Sequence, residues 1–204
     1  MNAIVESLKA ESNINIINKT TLFERRFVKV VLYEYTKWDS PDIHEYESIE
    51  RVKVSDIVAA LTVTEDQKVV LINQFRIPQG RFCIESPAWL QDKKDETLEE
   101  TARREILEET WYAPWEMIYV GKTPTSSGLT SETIDCYVWL NCKKVSDVLE
   151  LDNAEDIQVL EVPLSEMDDF VEAIRKKVGL TIDSKVLFML WEYKKLIAKK
   201  LTDG

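Results

Sequence analysis

Hydrophobic and polar residues alternate with a period of two through the first third of the chain, most plainly in FVKVVLYEYT at residues 27–36, and this pattern predicts strands. The polar stretch that follows, KWDSPDIHEYES at 37–48, reads as a loop. A second apolar block, DIVAALTVTEDQKVVLINQF at 56–75, places TEDQ between two apolar runs, which predicts a hairpin inside a core sheet. Residues 97–110 then contain neither Gly nor Pro, and Thr97 with Glu100 three residues on forms a capping box, so a helix starts here. Beyond it come EMIYVGK, a Ser/Thr/Gly-rich loop TPTSSGLTSET at 123–133 and an apolar strand IDCYVWLNC at 134–142. Two more helices are predicted over 165–178 and 183–200, the second carrying Leu187, Leu190, Trp191, Tyr193 and Leu196 near helical spacing. There is no internal repeat.

Glu105, Glu108 and Glu109 stand at i, i+3 and i+4 of the predicted helix, so their carboxylates leave one face close together and repel. A run of like charge is ordinarily a solvated face. The alternative is a hard cation such as Mg²⁺ or Mn²⁺, which prefers carboxylate and carbonyl oxygens. Spacing alone leaves both open.

Composition changes the picture in three ways. With 204 residues and 45% hydrophobic content the chain can bury a core as one domain, or as one domain with a small appendage. A net charge of -11 argues against attraction to nucleic acid or to an anionic membrane surface, so an anionic substrate would need local cations. Cys83, Cys136 and Cys142 are odd in number and lack zinc-type pairing, and the N-terminus has no basic, apolar leader; a reducing cytoplasm is expected. Cys83 and Cys136 lie in apolar strands and read as core filler, while His44, the one histidine, reads as a surface residue.

A longer pattern decides between the two readings of the glutamates. Glu96, seven residues, then Arg104-Glu105-Ile106-Leu107-Glu108-Glu109 with Tyr112 beyond resembles the Nudix box. NQFRIPQGRFCIESPAW at 73–89, SSGLTSETIDCYVWL at 126–140, EVPLSEMDDFV and GLTIDSKVLFMLW resemble further segments of ADP-ribose pyrophosphatases, in the same order. The chain thus resembles a Nudix hydrolase of the ADP-ribose pyrophosphatase type.

That resemblance implies an α/β Nudix fold, an α/β/α sandwich on a mixed sheet, over residues 57–204. Residues 1–56 would be a small N-terminal β region that joins two subunits into a homodimer. It implies hydrolysis of the pyrophosphate of ADP-ribose or another nucleoside diphosphate sugar, with Mg²⁺ or Mn²⁺ held by Glu105, Glu108, Glu109 and the carbonyl of Ala88. Arg104 would orient Glu105, and Glu132 would activate water, with Glu108 the second possibility for the base. Arg76, Arg81 and Glu85 would bind substrate. For Arg76 an ordinary strand-end salt bridge is the plainer alternative. Chemistry makes the same demands, since a pyrophosphate resists hydroxide until its charge is neutralised and a carboxylate takes a proton from water.

Two positions depart from the box. Trp89 stands where its first glycine is expected, with six residues between it and Glu96 where five are usual, and Trp111 replaces the glycine that ends the helix. A degenerate box would suit a Nudix-fold module that senses a nucleotide sugar without cleaving it. Retention of all three glutamates favours the enzyme. A purely structural interaction domain would leave Glu132 and Arg76 without a purpose.

Overall fold

The computed structural model describes Val5, Leu8 and residues 11–52, 57–90, 96–113, 115–145 and 157–202, apart from the side chains of Leu98, Glu108, Glu109 and Leu201. The chain divides into two compact units, one of residues 1–53 with 124–132 and one of residues 54–123 with 133–204.

The first unit is a three-stranded antiparallel sheet of β1 (Ile14–Glu24), β2 (Val28–Lys37) and β3 (Ser40–Arg51), in that order. The alternating segment forms β2 as expected. Residues 40–48, expected as loop, belong instead to β3, joined to β2 by a turn at Trp38 and Asp39. Their polar side chains hid the strand, because its support comes from cross-strand pairs instead of an apolar face. Tyr33 donates to Glu50 at 2.6 Å, and the rings of Tyr35 and His44 stack at 5.3 Å, so His44 is half-buried in a strand. The Lys19 ammonium, with Tyr33 and Lys29 beside it, holds the Glu50 carboxyl down to about 2. On β1 every residue is exposed, Ile14, Ile16 and Phe23 included.

The second unit is built on a mixed sheet of nine strands among the described residues. Its spine is β12 (Leu180–Ile182), β6 (Arg81–Glu85), β5 (Lys68–Arg76), β4 (Ile57–Thr64), β10 (Thr133–Lys144) and β8 (Tyr112–Ala113). β7 (Ala88–Leu90), β9 (Glu116–Pro124) and β11 (Ile157–Pro163) pair with β4, β10 and β5. The pairs β10/β4 and β12/β6 are parallel, whereas β4/β5 and β5/β6 are antiparallel hairpins. The expected turn at Glu65–Gln67 closes the first hairpin, with Gln67 at φ 61 in the left-handed region.

All eight residues of β4 are buried, which is what a strand covered on both faces requires. Ile57, Ala59, Leu61 and Val63 point to one face and pack with Met167, Val171, Met189 and Leu190. Those residues come from α2 (Met167–Lys176) and α3 (Ser184–Thr202), close to the two helices expected. Val58 and Ala60 point the other way, into a cluster with Trp139 and with Ala102 and Ile106 of α1 (Leu98–Thr110). Helices therefore cover both faces of the sheet, the expected α/β/α arrangement. Burial of this apolar surface is its main source of stability.

Both ends of α1 are defined locally. At its start the Thr97 hydroxyl accepts from Glu100 N at 3.2 Å while the Glu100 carboxylate accepts from Thr97 N at 2.8 Å, the reciprocal box expected. Its end is Trp111, at φ 64 in the left-handed conformation, whose N–H donates to Leu107 O at 3.2 Å. Glycine is favoured in that conformation because a Cβ is strained there by about 1 kcal/mol. What the tryptophan contributes in return is its ring, with the Lys144 ammonium 5.1 Å from the centroid. Trp111→Gly is therefore expected to be more stable than Trp111→Ala by about 1 kcal/mol, the reverse of the usual helical preference. Urea unfolding of the two variants reads this directly, and an alanine variant as stable as the glycine variant would contradict it.

Candidate active site

The hairpin of β5 and β6 turns through Ile77–Gln79, with Pro78 setting the turn and Gly80 at φ 61 closing it. Arg76 and Arg81 face each other across its mouth, and one strand length further on β6 ends at Glu85. Arg76 Nε and Nη2 donate to the two oxygens of Glu85 at 2.5 and 2.7 Å, a bidentate pair. The Glu85 side chain is 4% exposed and that of Arg76 is 41% exposed, so the pair joins a buried carboxylate to a guanidinium whose other edge reaches solvent. Hydrogen bonding to Glu85 raises the Arg76 pKa further. The salt bridge that the sequence left as the plainer alternative is thus present, and it leaves part of the guanidinium open to a ligand. Arg81 is exposed at the same mouth.

After Glu85 the chain passes through Ser86 and Pro87, whose carbonyl accepts from Ala60 N at 3.2 Å, and enters β7 with Ala88 opposite Ala59. Trp89 pairs with Val58, is 4% exposed, and stacks on Trp139 with ring centroids 5.9 Å apart and planes 12° from parallel. The small Ala60 and Ala102 of the same cluster leave room for it. The ring that displaces the expected glycine is thereby a core residue.

On α1, Arg104 donates to Glu105 at 2.5 Å and to Glu96 at 3.2 Å, and Thr101 also donates to Glu96 at 3.2 Å. Glu96 was legible as part of the box, but nothing in the spacing showed that it shares Arg104 with Glu105. The hydrogen bonds that Arg104 donates to Glu96, and then to Glu105, raise its pKa. The helix continues unbroken through Glu108 and Glu109, whose side chains lie outside the described residues. Glu132 belongs to the first unit, where its carboxylate accepts from Arg51 Nε and its N–H donates to Thr130 Oγ1 at 3.1 Å. Arg51 carried no motif that would have singled it out.

All three cysteines are free and buried. Burial pushes the thiols of Cys83 and Cys142 up to about 12 and that of Cys136 up as well, so none is a ready thiolate nucleophile.

A NUDIX domain model matches residues 53–179. The chain belongs to the Nudix family. The sheet with helices on both faces is accordingly the Nudix fold, and a solved structure described as an ADP compounds hydrolase shares it with a TM-score of 0.73 at 20% identity, covering 92% of this chain and 97% of the other. Among relatives, an ADP-ribose pyrophosphatase of Bacillus subtilis (strain 168) is 34% identical over 124 residues, which are 61% of this chain and 66% of that protein. A methanol dehydrogenase activator of Bacillus methanolicus is 30% identical over 126 residues, 62% of this chain and 68% of that protein. The match to the Bacillus subtilis protein thus covers a little under two thirds of it. Among the described residues, no helix is long and apolar enough to cross a membrane.

The Arg76–Glu85 pair makes a stability prediction. Arg76→Ala strands a buried carboxylate and is expected to destabilise the fold by about 1–3 kcal/mol, whereas Glu85→Gln in the same background recovers most of the loss. Urea unfolding at neutral pH measures both; a wild-type midpoint for Arg76→Ala would reduce the pair to an ordinary surface contact.

Proposed function

We propose that this Nudix protein hydrolyses the pyrophosphate of ADP-ribose or a related nucleoside diphosphate sugar, adding water across the P–O–P linkage to release a nucleoside monophosphate and a sugar phosphate. The observation that carries the reading is the box helix, where Arg104 ties Glu105 to Glu96 on a scaffold that keeps Glu108 and Glu109 at i+3 and i+4. It is supported by the Bacillus subtilis relative, which is an ADP-ribose pyrophosphatase.

The donor chemistry suits a hard divalent cation, Mg²⁺ or Mn²⁺, held by Glu105, Glu108, Glu109 and the main-chain carbonyl of Ala88. When bound, such an ion neutralises charge on the pyrophosphate oxygens. Arg104 holds the Glu105 carboxylate in one orientation. The open edge of the Arg76 guanidinium, itself oriented by Glu85, takes a phosphate oxygen, with Arg81 assisting from the same hairpin mouth. Glu132 accepts a proton from the attacking water, and Glu108 is the second possibility for that base.

Two further assignments accompany this reading. Residues 1–56 form a dimerisation region, supported by the exposed apolar residues of β1, and a sedimenting monomer at micromolar concentration would remove this assignment. A cytoplasmic location suits three buried, free thiols.

A second reading, a module that binds a nucleotide sugar without cleaving it, draws on Trp89 and Trp111 at positions where the box has glycine. Glu132→Gln separates the two. For the enzyme, this substitution lowers kcat by about 10²- to 10⁴-fold with substrate binding retained, while Arg76→Ala mainly raises KM. Wild-type turnover by Glu132→Gln would transfer the base role to Glu108. Tight binding of ADP-ribose by the wild type with no turnover would establish the sensor.

A further inference from the structure

We propose that Arg51 is a positioning residue that holds Glu132 in place, and that strand β3 serves as the template on which the loop before β10 is laid. The inference rests on the reading of Glu132 as the general base. It starts from how residues 125–132 meet β3 within the first unit. Tyr46 donates its hydroxyl to Gly128 O, and Ser48 Oγ and Ile49 N both donate to Leu129 O at 2.9 Å. Ile49 and Thr130 form a parallel bridge, and Arg51 Nε donates to Glu132 Oε2. From Ser48 to Arg51 the partners stay 81 residues apart, so over that stretch the loop advances one residue for each residue of β3. It lies against β3 like a short fourth strand, on the edge that β2 leaves open.

A carboxylate at the end of a Ser/Thr/Gly-rich loop would otherwise sample many positions. Here its main chain is fixed on both sides, with Glu132 N donating to Thr130 Oγ1 at 3.1 Å and Glu132 O accepting from Thr125 N at 3.2 Å. The guanidinium then selects one direction for the side chain. The pair is partly open to water, with Arg51 41% and Glu132 19% exposed, and exposed pairs add little to stability. The contribution of Arg51 is therefore geometric: it narrows the positions open to a group whose role demands placement within a fraction of an ångström.

The test uses the full chain with ADP-ribose and Mg²⁺, comparing Arg51→Gln, Arg51→Lys, Glu132→Gln and the double variant Arg51→Gln/Glu132→Gln. Arg51→Gln is expected to lower kcat by about 10- to 100-fold with KM and the thermal midpoint little changed, and Arg51→Lys to recover part of the loss. The double variant should be no slower than Glu132→Gln alone, because Arg51 acts only through that carboxylate. A readout free of turnover is exchange of the Ile49 amide, which the loop protects; it should quicken in Arg51→Gln. Wild-type kcat in Arg51→Gln, losses that multiply in the double variant, or unchanged Ile49 exchange would each overturn the proposal. If Glu132→Gln is slow and Arg51→Gln is normal, the positioning role alone falls. Wild-type turnover by Glu132→Gln removes the base assignment and the positioning role together.

Discussion

Carboxylates three and four residues apart on one helix repel, and the box helix must offset that repulsion before it can present them to anything else. Arg104 supplies the fixed positive charge, shared between Glu105 on the helix and Glu96 just before it. Because Glu96 also accepts from the buried Thr101, the guanidinium is held from the start of the helix as well as from its middle. The Thr97 capping box sets where the helix begins, and the burial of Ala102 and Ile106 against the sheet sets how it is rotated. A hard cation would complete the balance of charge that Arg104 begins.

The two tryptophans in place of glycine bear on stability and on site geometry in different ways. Trp89 lies in a strand conformation, where no glycine is needed, and its ring packs on Trp139 in the core. Trp111 keeps the left-handed turn that a glycine would adopt without strain, so the backbone path out of the helix is preserved at a cost in conformational energy. Neither position supplies a ligand through its side chain in the reading proposed here. The substitutions therefore leave the Arg104–Glu105 pair and the capping box intact.

Much of this was legible in the chain itself, and the exceptions have physical causes. The β4–β5 hairpin and the three helices announced themselves through apolar periodicity and the capping box, all of which are local signals. Strand β3 did not, because its own residues 40–48 are mostly serine, proline, histidine and acidic side chains, which mimic a loop in composition. The residue pattern also singled out Arg76, Arg104 and Glu105, and the resemblance implied that Arg104 orients Glu105, but neither showed Glu85 as the partner of Arg76 or Glu96 as a second partner of Arg104. Glu85 holds Arg76 from nine residues away and Glu96 holds Arg104 from eight, across a hairpin and around a helix start. Arg51 meets Glu132 from 81 residues away, a distance at which no spacing rule operates.

The most direct measurement is ³¹P NMR of ADP-ribose incubated with the full chain, once with Mg²⁺ and once after chelation. The account predicts that the two pyrophosphate resonances give way to two phosphomonoester resonances, those of AMP and ribose 5-phosphate in equal amounts, and only while the metal is present. Pyrophosphate signals that persist with Mg²⁺ or Mn²⁺, or that disappear equally fast after chelation, would contradict it.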